Sequence, residues 1–559
     1  MRSLVCFKIV ALLVLTGCAA ESPSEIATAP DSIVMYTGGV IWTGEEATTD
    51  ASVMVVANNE IAYVGDGANI RIAPTETIDL GGRFVMPGFI DSHVHFYDGG
   101  LGLASVDLRD AVSPEEFTQR ISDHARTLEV GKWILIGNWD HENWGGELPT
   151  KEWVDEFTPN NPVYITRIDG HMALANSLAL ELAGLNASTV TPSGGEIVRH
   201  PNGELTGIVK DNAMTLVGKA IPSMSDEDRL KVFELAQAHA LSLGLTQVHA
   251  VSAGPVTNFL VDAFRYARDQ GAMKLRVNVY SPLESWTETR DLIEREGLGD
   301  DQLNWGGVKA LTDGALGSTT AWFHDPYVDE PAKSGFPLIE PEMLKALMSD
   351  ADVNRLRLAI HAIGDKAIDQ VIDGLEDMAD DQIQSRRYRI EHFQHPTPAA
   401  IERLAKNKII ASMQPYHAID DGRWAESRIG PERIKSTYAF KTILDAGGLL
   451  SFGSDWPVAP LSPLQGVYAA VTRRTTDGAH PSGWQPQEKI SVEQALRAYT
   501  VTNAYAAFEE NRAGTLTPGK RADFVVLSQD PRKVNPNLIG DIEVLRTVID
   551  GETVFEQTP

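Results

Sequence analysis

The sequence predicts an α/β protein: a (β/α)8 TIM-like barrel with an inserted cap subdomain and a small composite β-sandwich domain built from both chain ends. Three observations indicate this fold. Apolar strand-like segments alternate with amphipathic helix-like segments through the middle of the chain, short strand-like segments occur at both ends, and residues 107–221 interrupt the alternation. Because a domain usually takes roughly 100–200 residues, the 559 residues allow one barrel with such additions.

Eight strand-like segments define the predicted barrel. They lie at residues 88–93, 245–249, 276–280, 307–311, 357–361, 388–392, 409–413 and 449–454. Helix-like segments between them include residues 257–271, 341–353, 366–380 and 397–406. Apolar strands alternating with helices indicate a parallel sheet covered on both faces, and eight such units indicate a barrel whose site lies at the carboxyl ends of the strands. We assign residues 86–106 and 222–507 to this barrel.

Two further units are predicted beside the barrel. Residues 31–85 and 508–559 each contain a few strand-like segments, too few to bury a core alone, so the two chain ends are expected to pair into one composite β domain. Residues 107–221 are too long for a single barrel connection. Because they contain strand candidates at 133–137 and 163–167, they are expected to form the cap subdomain.

The first residues indicate export. A basic start, the apolar run 9–15 and small residues up to Cys18 are typical of a secretory signal. The string Leu-Thr-Gly-Cys that ends at Cys18 resembles the lipobox of bacterial lipoproteins, in which the cysteine carries the lipid; a plain signal peptide cleaved nearby is the alternative. We predict a signal peptide at 1–18, lipid attachment at Cys18, a flexible tether at 19–30 and a protein anchored at the periplasmic face of the envelope.

Composition excludes several classes of function. The only two cysteines are Cys6 and Cys18, so the mature domain has no disulfide framework, no cysteine-ligated metal and no cysteine nucleophile. The formal net charge of −29 disfavours nucleic-acid binding, because the phosphate backbone would be repelled. The expected partner is therefore a small molecule, with membrane contact only through the lipid anchor; the sequence also allows a homo-oligomer.

Six side chains that can bind a metal or act as a base lie at or near the carboxyl ends of predicted strands. They are His93, His95, Lys309, His361, His392 and Asp455. Taken singly, such residues are usually structural histidines, a surface lysine or a helix-capping aspartate. Two imidazoles two positions apart on one strand face the same way, and all six side chains are expected at one end of the barrel. This convergence predicts a metal site.

The chain also resembles a known family. The motifs that carry the resemblance are MPGFIDSHVH at 86–95, VK at 308–309 with TDG at 312–314, HAIGD at 361–365, EHFQ at 391–394, GSDWPV at 453–458 and GKRADFVVL at 519–527. They look like the amidohydrolase superfamily and, taken together, its amidohydrolase family 3, or YtcJ-like, branch. The resemblance extends from about residue 33 to 555 and implies a small composite β domain on a metal-dependent barrel.

The resemblance implies a ligand set. His93, His95 and Asp455 would bind one ion, His361 and His392 a second, and Lys309, carbamylated by carbon dioxide, would bridge them. The family uses one ion or two. We expect zinc because imidazole and carboxylate ligands suit it, although these ligand types are also compatible with manganese or iron.

These residues predict hydrolysis. Water bound to such an ion has a pKa of about 7 instead of 15.7, and Asp455 can accept its proton and pass it to the leaving nitrogen. The expected reaction is cleavage of a small, non-peptide amide-type C–N bond; the resemblance implies an N-acyl or N-formyl amine as its substrate. Three alternatives share these residues: an esterase or lactonase on the same centre, a non-catalytic binding lipoprotein, and a Schiff-base enzyme that uses Lys309.

Two more histidines are candidate substrate contacts. His417 follows the seventh predicted strand, and His171 lies in the cap within the segment DGH at 169–171. A histidine of an ordinary loop is the alternative for each.

Overall fold

The computed structural model describes residues 32–46, 50–68, 70, 72–252, 260–378 and 383–557. The predicted signal peptide, Cys18 and the tether lie outside these residues. No helix within the described ranges is both long and apolar enough to cross a membrane.

Strands and helices are numbered here in chain order. The strands are β1 (Ile33–Thr37), β2 (Val40–Ile41), β3 (Val53–Ala57), β4 (Glu60–Gly65), β5 (Glu76–Asp79), β6 (Phe84–Pro87), β7 (Phe89–Val94), β8 (Ile134–Trp139), β9 (Val163–Arg167), β10 (Met172–Ala175), β11 (Gly195–Arg199), β12 (Leu205–Asp211), β13 (Leu245–Val251), β14 (Arg276–Pro282), β15 (Leu303–Leu311), β16 (Arg357–Ala362), β17 (Arg389–His392), β18 (Ile410–Met413), β19 (Leu449–Phe452), β20 (Phe524–Leu527), β21 (Val544–Ile549) and β22 (Glu552–Glu556). The α-helices are α1 (Phe96–Leu103), α2 (Pro114–Ala125), α3 (Glu152–Asp155), α4 (Ser177–Leu182), α5 (Met214–Gly218), α6 (Asp226–Ser242), α7 (Leu260–Asp269), α8 (Trp286–Glu296), α9 (Pro341–Val353), α10 (Asp365–Met378), α11 (Ile383–Arg386), α12 (Pro398–Asn407), α13 (Pro415–Asp421), α14 (Ala425–Arg433), α15 (Phe440–Asp445), α16 (Pro463–Thr472), α17 (Val492–Ala498) and α18 (Val501–Ala506).

The eight strands β7 and β13 to β19 form one parallel sheet in the order β19-β18-β17-β16-β15-β14-β13-β7. Each corresponds to one of the eight predicted segments, so the (β/α)8 barrel is confirmed. Strands such as β7 and β13 are buried along their whole length, as expected for a parallel sheet covered by helices.

The barrel closes where the segment after β19 meets β7. The backbone N–H of Asp455 donates to the carbonyl of His93 (2.7 Å), and the N–H of His95 donates to the carbonyl of Trp456 (2.8 Å). A Cβ at Gly453 would lie 2.6 Å from the backbone nitrogen of His93, so the close approach of the two segments requires glycine there. The closing hydrogen bonds thus involve the same residues that were predicted to bind metal.

The two chain ends form the predicted composite β unit. Strand β6 pairs antiparallel with β20, with Phe84 opposite Leu527, inside a five-stranded sheet of order β2-β6-β20-β21-β22. A second sheet, β4-β3-β1-β5, packs against it around a shared apolar core. The rings of Tyr36 and Phe524, one from each sheet, meet edge to face at 5.0 Å between centroids.

The cap contains a five-stranded sheet of order β11-β12-β10-β9-β8. The sequence predicted only β8 and β9. Strands β10 to β12 were missed because β10 is rich in helix-forming residues and β12 contains Gly207, with a φ of +98°, followed by charged Lys210 and Asp211. Separate apolar clusters lie on the two faces of this sheet, so the cap has a core of its own.

Candidate metal centre

A cavity of about 440 Å³ opens at the carboxyl ends of the barrel strands, between the barrel and the cap sheet. Its volume is in the range of small-molecule sites. The predicted site residues that line it are His95, His171, Lys309, His361, His392, His417 and Asp455. His93 is fully buried and contacts this group from below. The structure therefore brings together every side chain selected from the sequence within the described ranges.

The first cluster consists of His93, His95 and Asp455, whose ligand atoms lie within 4.8 Å of one another. Asp455 Oδ1 lies 3.4 Å from His93 Nε2 and 3.0 Å from His95 Nε2. Asp455 has a φ of +62°, a left-handed conformation that is uncommon for a non-glycine residue and is often found at functional sites. Asp91 stabilises this conformation of the segment around Asp455. Its carboxylate accepts hydrogen bonds from the N–H groups of His93 and Ser454, each at 3.0 Å.

A buried ion pair orients His93. Its Nδ1–H donates to Glu391 Oε2 at 2.5 Å, which leaves Nε2 to face Asp455. Arg389 donates to both oxygens of Glu391, at 2.8 and 3.0 Å. Burial alone would raise the pKa of Glu391, but the Arg389 guanidinium, the hydrogen bond from His93 and the nearby Lys309 together hold that pKa well below its usual range. A carboxylate behind a histidine is a common support for metal ligands, since it fixes the tautomer.

Lys309 approaches the same centre from β15. Its Nζ lies 3.2 Å from His93 Nε2, and the residue is only 2% exposed. Burial lowers the pKa of Lys309 to about 8, so far more of the amine is neutral near neutral pH than for an exposed lysine. Only a neutral amine can react with carbon dioxide.

Ligand orientation is also fixed in the second group, His361 and His392. His392 Nδ1–H donates to Gln414 Oε1 at 2.8 Å, and His361 Nε2–H donates to the carbonyl of Gly314 at 3.1 Å. The two rings lie 4.5 Å apart between centroids. Because one nitrogen of each ring is a donor to protein, the other is available to accept an ion.

His417 was predicted to contact the substrate, but it lies among the candidate metal ligands. Its ligand atoms group with those of His392 and Asp455 within 4.8 Å, and His417 Nε2 is 3.8 Å from Asp455 Oδ2. Within the described part of the chain, this buried nitrogen has no hydrogen-bond partner. An unpaired buried imidazole nitrogen beside a carboxylate is consistent with a place for a cation.

The donor set fits divalent ions. Histidine must be neutral to bind a metal, and burial lowers the pKa of His361, His392 and His417 and, with the adjacent Lys309 ammonium, lowers that of His93 to about 4. A carboxylate ligand must be ionised. Burial opposes ionisation of Asp455, but the surrounding imidazoles keep its pKa well below the usual range.

The cap contributes His171. Its Nδ1–H donates to Asp211 Oδ1 at 2.6 Å, and its ring lies 5.1 Å from that of His361 between centroids. Burial would lower the pKa of His171, but the hydrogen bond to Asp211 and the negative charges of Asp211, Asp169 and Asp313 together raise it above its ordinary value. The pair thus places a polar ring nitrogen of the cap opposite the barrel ligands.

Comparisons with known proteins agree on one family. The model of a family described as "Amidohydrolase family" matches residues 76–555. The chain is 40% identical over 519 residues to Protein LONG AFTER FAR-RED 3 of Arabidopsis thaliana. The alignment covers 90% of this chain and 88% of that protein. It is 30% identical to the putative amidohydrolase YtcJ of Bacillus subtilis (94% and 99% covered) and 29% identical to an N-substituted formamide deformylase of Arthrobacter pascens (91% and 95% covered).

A solved structure supports the fold. An uncharacterized metal-dependent hydrolase from Pyrococcus horikoshii superimposes with a TM-score of 0.72 at 30% identity, covering 90% of this chain and 99% of that one.

Proposed function

The chain belongs to the amidohydrolase family, hydrolases of carbon–nitrogen bonds, and from this we propose that it cleaves a small, non-peptide amide of the N-acyl or N-formyl amine type. The observation that carries the proposal is the convergence of His93, His95 and Asp455 on one buried point with Lys309. The similarity to a protein named as a deformylase of N-substituted formamides favours small amides over peptides.

We assign the ligands as the family resemblance implies them. His93, His95 and Asp455 would hold one zinc ion, and His361 and His392 a second, with Lys309 as a carbamate between them. When bound, the ions supply a Lewis acid and a water molecule of lowered pKa. A carbamate would replace a buried cation by an anionic oxygen ligand, which removes the repulsion between the Lys309 ammonium and the ions.

Asp455 is the proposed proton carrier. It is ionised, buried and adjacent to two imidazoles, so it can accept a proton from the attacking water and deliver it to the departing nitrogen. Proton delivery matters for an amide because an amine anion is a poor leaving group.

The test of this function combines metal analysis with a matched substrate panel. Purified protein is expected to contain zinc, to hydrolyse formamides and acetamides of small amines, and to lose turnover on chelation and regain it with zinc. A chelator already saturated with calcium is the control. Protein without metal and without chelator-sensitive turnover would favour the binding lipoprotein, and hydrolysis of matched esters alone would favour the esterase.

His171 is the proposed cap contact to substrate. Because Asp211 holds its Nδ1–H, its Nε2 is available to hydrogen-bond the substrate. We expect His171→Gln to lower kcat/KM by about 10–100-fold, somewhat below the loss typical of one oxyanion-hole donor, with zinc content unchanged. The matched control is His324→Gln, since His324 also pairs with a carboxylate, Asp369 at 3.0 Å, but is half exposed. Equal activity of the two variants would remove His171 from the site.

Export with lipid attachment at Cys18 is proposed from residues 1–18. Incorporation of a labelled fatty acid into the wild-type chain and its absence from Cys18→Ser would support it; label in both would contradict it.

A further inference from the structure

Acidic side chains outnumber lysines and arginines in the lining of the cavity. Eight carboxylates line it, whereas Arg167 and Lys309 are the two basic side chains, histidine apart, that do so in the described part of the chain. Residues 253–259, which follow β13 outside the described ranges, include no lysine or arginine in their sequence. Apart from the histidines, a substrate carboxylate would therefore depend on Arg167 or Lys309 as its counter-charge.

Arg167 is already engaged. It is 2% exposed and donates from Nη2 to Asp140 at 2.6 Å, from Nη1 to Asp169 at 2.8 Å and from Nε to His141 at 3.1 Å. Two carboxylates thus neutralise this one guanidinium. Because its charge is already compensated and its geometry is fixed, Arg167 cannot serve as an anion receptor without breaking a buried pair.

The neighbouring arginines are engaged as well. Arg109 donates to the carbonyls of Val458 and Pro457 in the cavity wall, and Arg423 pairs with Asp140 at 3.2 Å and Asp420 at 2.8 Å. Lys309 belongs to the proposed metal centre, where it meets the reacting group rather than the rest of the substrate. His171 is paired with the carboxylate of Asp211 at 2.6 Å, so its charge is already compensated. The described cavity therefore offers no uncommitted lysine or arginine to a substrate's distal end.

Part of the cavity lining is apolar. The cap contributes Leu135, Ile136 and Met214, and the barrel side contributes Leu316 and Ile339. An apolar substituent gains by burial there, whereas a carboxylate would lose its hydration without a partner. Like charges brought together at a binding surface cost several kcal/mol.

We infer that this site selects its amides by charge: it accepts those with an apolar, carboxylate-free amine portion and rejects N-acyl amino acids. The inference rests on the proposed function, because it concerns the same cavity.

Three formamides of one shape test the inference. N-formylphenethylamine lacks the α-substituent, N-formylphenylalanine carries a carboxylate, and N-formylphenylalaninamide carries a neutral group of the same size. We expect kcat/KM for the carboxylate to fall at least about 100-fold below that for the carboxamide, which should stay within about 10-fold of the unsubstituted compound; like-charge contact of several kcal/mol supports that size. Rejection of carboxamide and carboxylate alike would mean steric exclusion and would overturn the inference, as would equal use of both.

A charge-reversal variant tests the electrostatic cause. Glu284, at the cavity rim, is exposed and makes no ion pair within the described residues. Glu284→Lys is expected to raise the carboxylate-to-carboxamide ratio of kcat/KM by about 3–10-fold at low salt, with the gain shrinking as salt screens the charge. The control is Glu288→Lys, another exposed glutamate, on α8 and outside the cavity lining. The same ratio in both variants would contradict selection by charge.

Failure of the amidase proposal can be told apart from failure of this inference. If none of the three formamides is hydrolysed, the same comparison is made with the acetate esters of phenylethanol, phenyllactate and phenyllactamide. Discrimination against the phenyllactate ester would then sustain charge selection although the amidase assignment fails. Indifference to the carboxylate in the ester series would overturn charge selection.

Discussion

Asp455→Asn is expected to lower kcat by roughly 10²–10⁴-fold, the usual contribution of a positioned acid–base group, while zinc stays bound. Asparagine keeps the size and one oxygen of the aspartate, so the ligand cluster of His93 and His95 persists. Its amide cannot accept and return a proton, so the step that protonates the leaving nitrogen fails. Initial rates on a small formamide and zinc content measured on the same sample check the two halves of this expectation.

The control for this variant is Asp369→Asn. Asp369 also contacts a histidine, His324, but at the surface, and we expect activity within about twofold of wild type, because surface substitutions away from special features have small effects. Wild-type turnover in Asp455→Asn would end the assignment of Asp455. Loss of zinc together with turnover would show that Asp455 chiefly holds the ion.

Arg389→Met is expected to destabilise the folded protein by about 3–5 kcal/mol. The methionine fills most of the volume but leaves Glu391 buried without its partner, and an unpaired buried charge costs about that much. Arg389 and Glu391 are 1% and 0% exposed, so water cannot take over. The loss is read as the change in apparent free energy of unfolding in urea, followed by tryptophan fluorescence.

Two further variants make this expectation testable even if the single variant folds poorly. Arg403→Met removes an arginine that also bridges two carboxylates, Asp373 and Glu376, but at the surface, and is expected to cost at most about 1 kcal/mol. The double variant Arg389→Met, Glu391→Gln removes the stranded charge and should recover much of the loss. A single variant as stable as Arg403→Met, or a double variant no better than the single one, would contradict the argument.

The barrel could be predicted because its strands are apolar along their whole length and alternate with helices. The ends of the strands were less certain: β15 begins at Leu303 rather than at 307, and β19 ends at Phe452 rather than at 454. In the cap, β10 has the sequence MALA, which favours a helix by intrinsic propensity. It becomes a strand because β9 and β12 pair with it on both sides, which is a tertiary effect.

The metal-site residues could be selected because a (β/α)8 barrel brings the carboxyl ends of its strands together. The side chains that orient these ligands, Arg389 and Glu391, could not be selected from the sequence. Arg389 and Glu391 are two positions apart on β17 and therefore share a face, but charged residues in a strand usually face water. Only the fold shows that this face is the barrel interior. The position of His417 beside Asp455 likewise depends on how α13 leaves β18, which no local pattern indicates.

The first and last segments of the barrel together form the ligand cluster. They are joined by the hydrogen bond between Asp91 and Ser454, which are 363 positions apart in the chain. During biosynthesis, Asp91 therefore cannot form this hydrogen bond until the chain has been synthesised as far as Ser454. A truncated chain that ends before residue 455 carries His93 and His95 but cannot assemble the coordination sphere. On the proposed ligand set, an ion could be bound by the full cluster only after the chain has been synthesised to residue 455.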